Sequence, residues 1–205
     1  MFSTIILSLI AFEILLVYLE HKVKNNYFGE YSKNSKYEEF LEKKKKGLDP
    51  VFAISPSNFI KRNEYFSNIF PLGGISNSHT IYCNENGYWS NYESDRYGFN
   101  NTDQNWQKDV DILLLGDSTM HGACVNKDDT ISGNLKRIDP ALNILNLGYG
   151  GSGTLIEYAT LKEFFLPNTK KIVFLYFEKN DLKNLRRELR NKILKKYTSE
   201  GFKQN

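Results

Sequence analysis

Three short polar stretches, each placed at the end of an apolar run, carry the residue types that could do chemistry. The first is Gly116-Asp117-Ser118-Thr119, the second Asn146-Leu147-Gly148-Tyr149-Gly150-Gly151, and the third Glu178-Lys179-Asn180-Asp181. A serine at a sharp strand-to-helix turn projects its hydroxyl outward, and its own backbone N–H can face a developing oxyanion. Gly116 permits such a turn and Asp117 can hold it by bonding nearby backbone. A glycine at the second tip offers a main-chain N–H that can approach a substrate oxygen closely. Asn180 at the third offers a side-chain amide. Three donors around one oxygen suit acyl transfer, where negative charge develops on that oxygen only along the reaction path. Alone, each motif is weak, and Gly-Asp-Ser is more often an ordinary Asx turn.

The runs before these tips, Val110–Leu115, Leu142–Leu147 and Ile172–Phe177, read as strands buried on both faces. Helical patterns separate them. Asp128 or Asp129 is expected to cap a helix ending near Ile138. Thr154 with Glu157 reads as a capping box for the next, with Leu155, Ile156, Tyr158, Ala159, Leu161 and Phe165 at helical spacing. A last helix follows Asn180, with Leu182, Leu185, Leu189 and Ile193 on one stripe. Strands alternating with helices predict an α/β layer fold with a parallel sheet, in which active groups collect at the carboxyl ends of the strands.

This ordered set resembles the first three motif blocks of the SGNH (GDSL-type) hydrolases. The resemblance covers roughly residues 95–190, and Tyr97-Gly98-Phe99-Asn100 is similar to lead-in segments of membrane-anchored bacterial members. It implies Ser118 as nucleophile and first oxyanion donor, Gly151 as the second donor and Asn180 as the third, supported by Gly116 and Asp117. It further implies a flavodoxin-like three-layer α/β/α fold, here incomplete, with strand order 2-1-3-4-5. No metal or organic cofactor is expected. The activity implied is hydrolysis or transfer of an acyl ester, acetyl groups on carbohydrate among them.

Two departures stand out. Glu178 takes the position where the family has glycine in Gly-x-Asn-Asp. The late Asp-x-x-His block is missing: the histidines are His21, His79 and His121, and none has Asp three residues earlier. His121, three residues after Ser118, reads as a rim residue rather than the base. Only three strand–helix units are visible, so the simplest expectation is that these 205 residues are the front part of a longer polypeptide, inactive alone. The alternative is a naturally inactive relative with a reduced sheet.

Two other functions compete. Gly148-Tyr149-Gly150-Gly151-Ser152-Gly153 fits G-x-G-x-x-G after a strand, with Glu178 at the next strand end, as in a Rossmann-type dinucleotide-binding enzyme. That reading leaves Gly116-Asp117-Ser118 and Asn180-Asp181 unexplained. A non-catalytic, membrane-tethered glycan-binding module is the other, with the aromatic-rich residues 51–109 as stacking surface.

Before the α/β part, residues 1–21 read as a membrane anchor helix and 22–109 as a linker and accessory region; 110–205 then form the partial hydrolase domain. Phe2–Tyr18 is apolar apart from Ser3, Thr4, Ser8 and Glu13. As a helix it spans roughly 26 Å, slightly short of a bilayer core of about 30 Å. A single-pass anchor through residues 2–18 is expected. The lysines after it favour a cytoplasmic domain, whereas the resemblance implies the extracytoplasmic side, which is the expectation adopted. Ser35 is expected to cap a short helix that Gly47 ends. Asn86-Gly87 between Thr80–Cys83 and Tyr88–Tyr92 predicts a hairpin, since both turn residues tolerate positive φ.

Composition narrows the classes further. Apolar residues make up 40% and aromatics 14%, which supports a folded chain. A formal net charge of +3 without a basic stripe argues against a nucleic-acid partner. No P-loop and no Cys/His metal spacing occurs. Cys83 and Cys124 are the only cysteines, and the sequence leaves their pairing open.

Overall fold

The computed structural model describes residues 8–19, 35–60 and 69–204. Within them the chain is mixed α/β, built on two three-stranded sheets.

The first sheet has the order β1-β2-β3, with β1 Pro50–Phe52, β2 His79–Ile81 and β3 Asn91–Glu93. β1 runs parallel to β2, and β3 antiparallel to β2. The hairpin expected around Asn86-Gly87 is present, but its strands are shorter than the sequence suggests. Backbone bonds from Tyr82 N–H to Ser90 O (2.9 Å) and from Ser90 N–H to Cys83 O (2.9 Å) close it beyond the paired strands. Only Gly87 has positive φ, 86°. The Asn86 side chain instead donates to the Cys124 carbonyl at 2.7 Å, so a long-range bond replaces the two-residue turn.

The second sheet has the order β5-β4-β6, all parallel: β4 Ile112–Gly116, β5 Ile144–Asn146 and β6 Lys171–Leu175. All three expected strands are found, trimmed at their ends. The side-chain period of two explains how β4 serves two cores. Leu113 and Leu115 join Phe99, Val110, Leu145 and Tyr149 on one face. Leu114 joins Met120 and Ile144 on the other. Residues of α5 (Thr154–Phe164) pack on the first face, and residues of α4 (Ile131–Ile138) on the second.

β6 is different. It bonds to β4 on one side and has no described strand on the other. Ile172, Val173 and Phe174 are 46%, 44% and 45% exposed, although they alternate sides. An apolar strand open along one edge and part of both faces is a liability that folded proteins cover.

Helix ends depart from expectation in instructive ways. α2 (Lys36–Lys45) starts at a Ser35–Glu38 capping box as expected. α4 is capped by Thr130, whose hydroxyl accepts from Gly133 N–H at 3.0 Å, not by Asp128 or Asp129. α5 begins at Thr154 behind Gly153, without the expected Thr154–Glu157 box. The single last helix is two, α6 (Asp181–Glu188) and α7 (Lys192–Lys196), split by Asn191, whose side chain caps α7. Leu182 and Leu189 are accordingly exposed while Ile193 and Leu194 are buried.

Residues 1–7, 20 and 21 of the expected anchor region, His21 among them, and residues 22–34 and 61–68 of the linker and accessory region lie outside the described residues. Residues 8–19 form helix α1, exposed throughout. No helix among the described residues is long and apolar enough to cross a membrane.

Candidate active site

Ser118 follows β4 directly and opens α3 (Ser118–His121). Asp117 caps that helix, its Oδ1 accepting from Thr119 N–H at 3.0 Å. Its other oxygen accepts from Asn180 Nδ2 at 3.2 Å. Ser118 and Asn180 are therefore joined through one buried carboxylate. Gly116 faces a tight neighbourhood: a Cβ there would come within 3.0 Å of the Leu175 carbonyl and 2.9 Å of Met120 Cβ. A side chain at 116 would force the tips of β4 and β6 apart.

The loop after β5 is tied to the same place. Tyr149 N–H donates to the Gly116 carbonyl at 3.1 Å. Asn146 accepts from Gly148 N–H at 2.9 Å and donates to the Met120 carbonyl at 2.7 Å. Gly151 has φ +83°, a left-handed conformation that favours glycine. It lies against the accessory region, since a Cβ there would meet Ser55 Oγ. Thus the three strand tips adjoin, with the Thr119 N–H beside Ser118 and the Asn180 amide sharing Asp117, while Gly151 packs beneath the Ser55–Ser57 hydroxyl pair (2.7 Å apart).

Ser118 opens into a cleft of about 600 Å³ on the side of the accessory region, beside Tyr82 and the Cys83–Cys124 bridge. Gly151 and Asn180 do not line it.

His121 is neither a rim residue nor placed to act as a base. It is fully buried, stacked between Tyr82 (4.4 Å) and Tyr149 (4.5 Å), with Tyr92 edge-on at 5.2 Å. Its Nδ1 accepts from Gly150 N–H at 3.1 Å. Burial pushes its pKa down to about 3, so the ring is neutral. A residue one turn after Ser118 points inward, to the face of α3 that packs on the glycine loop. His79 is paired with Glu93, Nδ1 to Oε1 at 2.5 Å. No described histidine reaches Ser118.

Several positioning residues lie outside the motifs. Asp95 accepts from the N–H groups of Tyr97 and Phe99 (2.9 Å each), from Asn101 Nδ2 (2.9 Å) and from Trp106 Nε1 (2.8 Å). Asn101 in turn bonds both backbone groups of Asn146, at 2.8 and 2.9 Å. The Tyr97–Asn100 lead-in, together with the Asn101 that follows it, is therefore a clamp on the tip of β5. The sequence signals that segment but not Asp95, because an acid that organises a loop looks like any surface acid.

Four acids are buried behind the site: Asp117, Glu157, Asp181 and Glu188. Glu188 accepts from the N–H groups of Gly153 (2.7 Å), Leu155 (2.9 Å) and Ile156 (3.3 Å). It fills the start of α5, where a Rossmann-type enzyme would receive a pyrophosphate. A Cβ on Gly148 would come within 2.8 Å of His121 N, and one on Gly150 would run into the Tyr82 hydroxyl. The glycines let packed groups approach, and the donors at the start of α5 are already taken by the Glu188 carboxyl group. No group of three or more His, Cys, Asp or Glu suited to a metal occurs among the described residues.

Cys83 and Cys124 are bonded to each other. The bridge joins the hairpin of the first sheet to the loop after α3 and closes a loop of 41 residues in sequence separation. By the chain-entropy argument it stabilises the fold by about 4 kcal/mol. Reduction, or Cys83→Ser with Cys124→Ser, is expected to lower the unfolding free energy by that amount, seen as a lower urea midpoint. Equal midpoints with and without a phosphine reductant would show that the bridge adds nothing.

Compared with known proteins, the chain matches no family model, no curated protein and no solved structure.

Proposed function

We propose that this chain is the front part of an SGNH-type serine ester hydrolase, acting on an acyl ester such as acetylated carbohydrate, with Ser118 as nucleophile. The observation that carries the reading is the shared Asp117: it caps the helix begun by Ser118 and holds the Asn180 amide. Gly151 stands on the adjoining strand tip. In this reading the Ser118 N–H, the Gly151 N–H and the second proton of Asn180 Nδ2 stabilise the oxyanion. The sheet order β5-β4-β6 corresponds to the first three strands of the flavodoxin-like order 2-1-3-4-5.

The base comes from polypeptide continuing beyond Asn205. The exposed Ile172, Val173 and Phe174 of β6 support this, because a fourth parallel strand would cover them and bring its own tip beside Asn180. Without a base the serine hydroxyl stays protonated and weakly nucleophilic. The Cys83–Cys124 bridge supports an oxidising, extracytoplasmic location, held by the membrane anchor proposed for residues 2–18.

The test compares the 205-residue chain with the extended polypeptide. The chain alone is expected not to turn over p-nitrophenyl acetate. The extended form is expected to turn it over and to be labelled by a fluorophosphonate at Ser118, with both signals lost in Ser118→Ala. An extended form that resists labelling at Ser118 would sink the assignment.

A further inference from the structure

The cleft beside Ser118 is built jointly by two parts of the chain. The first sheet contributes Tyr82 and Glu85; the segment from Ser118 onward contributes Thr119, Asp129 and Thr130. Among the described residues no lysine or arginine lines it. Arg137 reaches Asp129 only from outside, at 3.8 Å.

Tyr82 is held in place and kept neutral. Its ring stacks on His121 at 4.4 Å, and its hydroxyl lies where a Cβ on Gly150 would fall. Burial, together with Tyr149, Asp117 and Glu85, raises its pKa well beyond the ordinary phenol value. It therefore remains an O–H donor under all working conditions. No hydrogen bond among the described residues uses that hydroxyl.

We infer that this cleft is a binding subsite for a hydroxyl-rich ring bearing a positive charge, such as an amino sugar, with the Tyr82 hydroxyl as its anchoring donor. The inference deepens the esterase reading and rests on it for what Ser118 does to the bound ligand. The binding claim itself needs only the cleft. Thr119, exposed at the cleft wall, offers a hydroxyl that can give or accept bonds to ring hydroxyls. Glu85 and Asp129 set a negative potential that attracts an ammonium and repels a carboxylate or phosphate. Placing Tyr82 on the first sheet makes that sheet part of ligand selection.

The experiment is a two-dimensional NMR titration of the 205-residue chain with glucosamine, glucose and glucuronate. Glucosamine is expected to shift the amides of Thr119, Gly122 and Val125, and at low salt to bind about fivefold tighter than glucuronate. Raising the salt narrows that ratio, and Glu85→Gln with Asp129→Asn brings it to about twofold or less. Tyr82→Phe keeps the ring stack and the melting temperature but weakens glucosamine about fivefold, the loss of one hydrogen bond. Glucuronate binding as tightly as glucosamine, no sugar moving the cleft amides, or Tyr82→Phe binding normally would each overturn the inference. Sugar binding without Ser118 labelling in the extended form would keep the subsite and remove the esterase; labelling without sugar binding would do the reverse.

Discussion

Glu188→Ala is expected to destabilise the chain by about 3–4 kcal/mol, because it strips three buried backbone donors of one shared acceptor. Gly153, Leu155 and Ile156 all donate to this carboxylate, and the residue is fully buried. No side chain of the N-cap residue can replace it, since Gly153 has none and the Thr154 hydroxyl is without a partner. The bond crosses from the end of α6 to the start of α5, so its loss also loosens the seam between them. Burial raises the Glu188 carboxyl pKa, while the same three backbone bonds pull it back down. Glu188→Gln keeps one acceptor oxygen but presents an NH₂ group to another donor, and an intermediate loss of about 1–2 kcal/mol is expected. Urea unfolding of the three proteins at one pH gives the order. If the alanine variant lost under 1 kcal/mol, this carboxylate would not be the cap of α5.

Such a cap shows which part of the molecule its sequence could announce. The three parallel strands were legible because each is a continuous apolar run; burial on both faces requires that of β4 and β5, whereas β6 carries the same run with both faces partly open. The tips after them were legible because glycine, serine and asparagine at strand ends are distinctive there. The Thr154–Glu157 box was a false local signal. Its spacing is right, but a stronger acceptor, Glu188, arrives from 34 positions along the chain and takes the donors, while Glu157 turns inward. The hairpin is present with shorter strands than expected, and Asn86 spends its side chain on Cys124, a partner that no local pattern names. His121 seemed a rim residue because proximity in sequence to Ser118 suggests proximity to solvent. In a helix as short as α3, the residue one turn on faces the packed side instead. Tyr82 and Asp95 gave no signal at all, since their roles depend on the first sheet folding over the second.

Glu157 should make the chain less stable as the pH rises through neutrality. The side chain is 2% exposed and both carboxyl oxygens lack partners. Burial first, then the charges of Asp181, Glu188 and Asp117, raises its pKa from 4.5 to about 8. A raised carboxyl pKa means the folded chain keeps a proton that the unfolded chain gives up, so stability falls with pH between those values. His121 works in the opposite sense. Its pKa falls from 6.5 to about 3, so its contribution rises over that window and is complete above it. The two slopes oppose each other between about pH 4.5 and 6.5, giving a plateau there. Above pH 6.5 only the glutamate slope remains, and a fall of about 2 kcal/mol by pH 8 is expected. Burial also raises Asp181 and Glu188, so above their unfolded pKa values each of them lowers stability as the pH rises, in the same sense as Glu157. In Glu157→Gln the stability advantage over the parent should grow from pH 4.5 and level off above pH 8. The decisive quantity is the change of that advantage with pH, because a buried amide without partners shifts the baseline equally at every pH. Chemical unfolding at half-unit steps from pH 4 to 9 measures it, and parallel curves for parent and variant would mean that Glu157 titrates in the fold as it does in the unfolded chain.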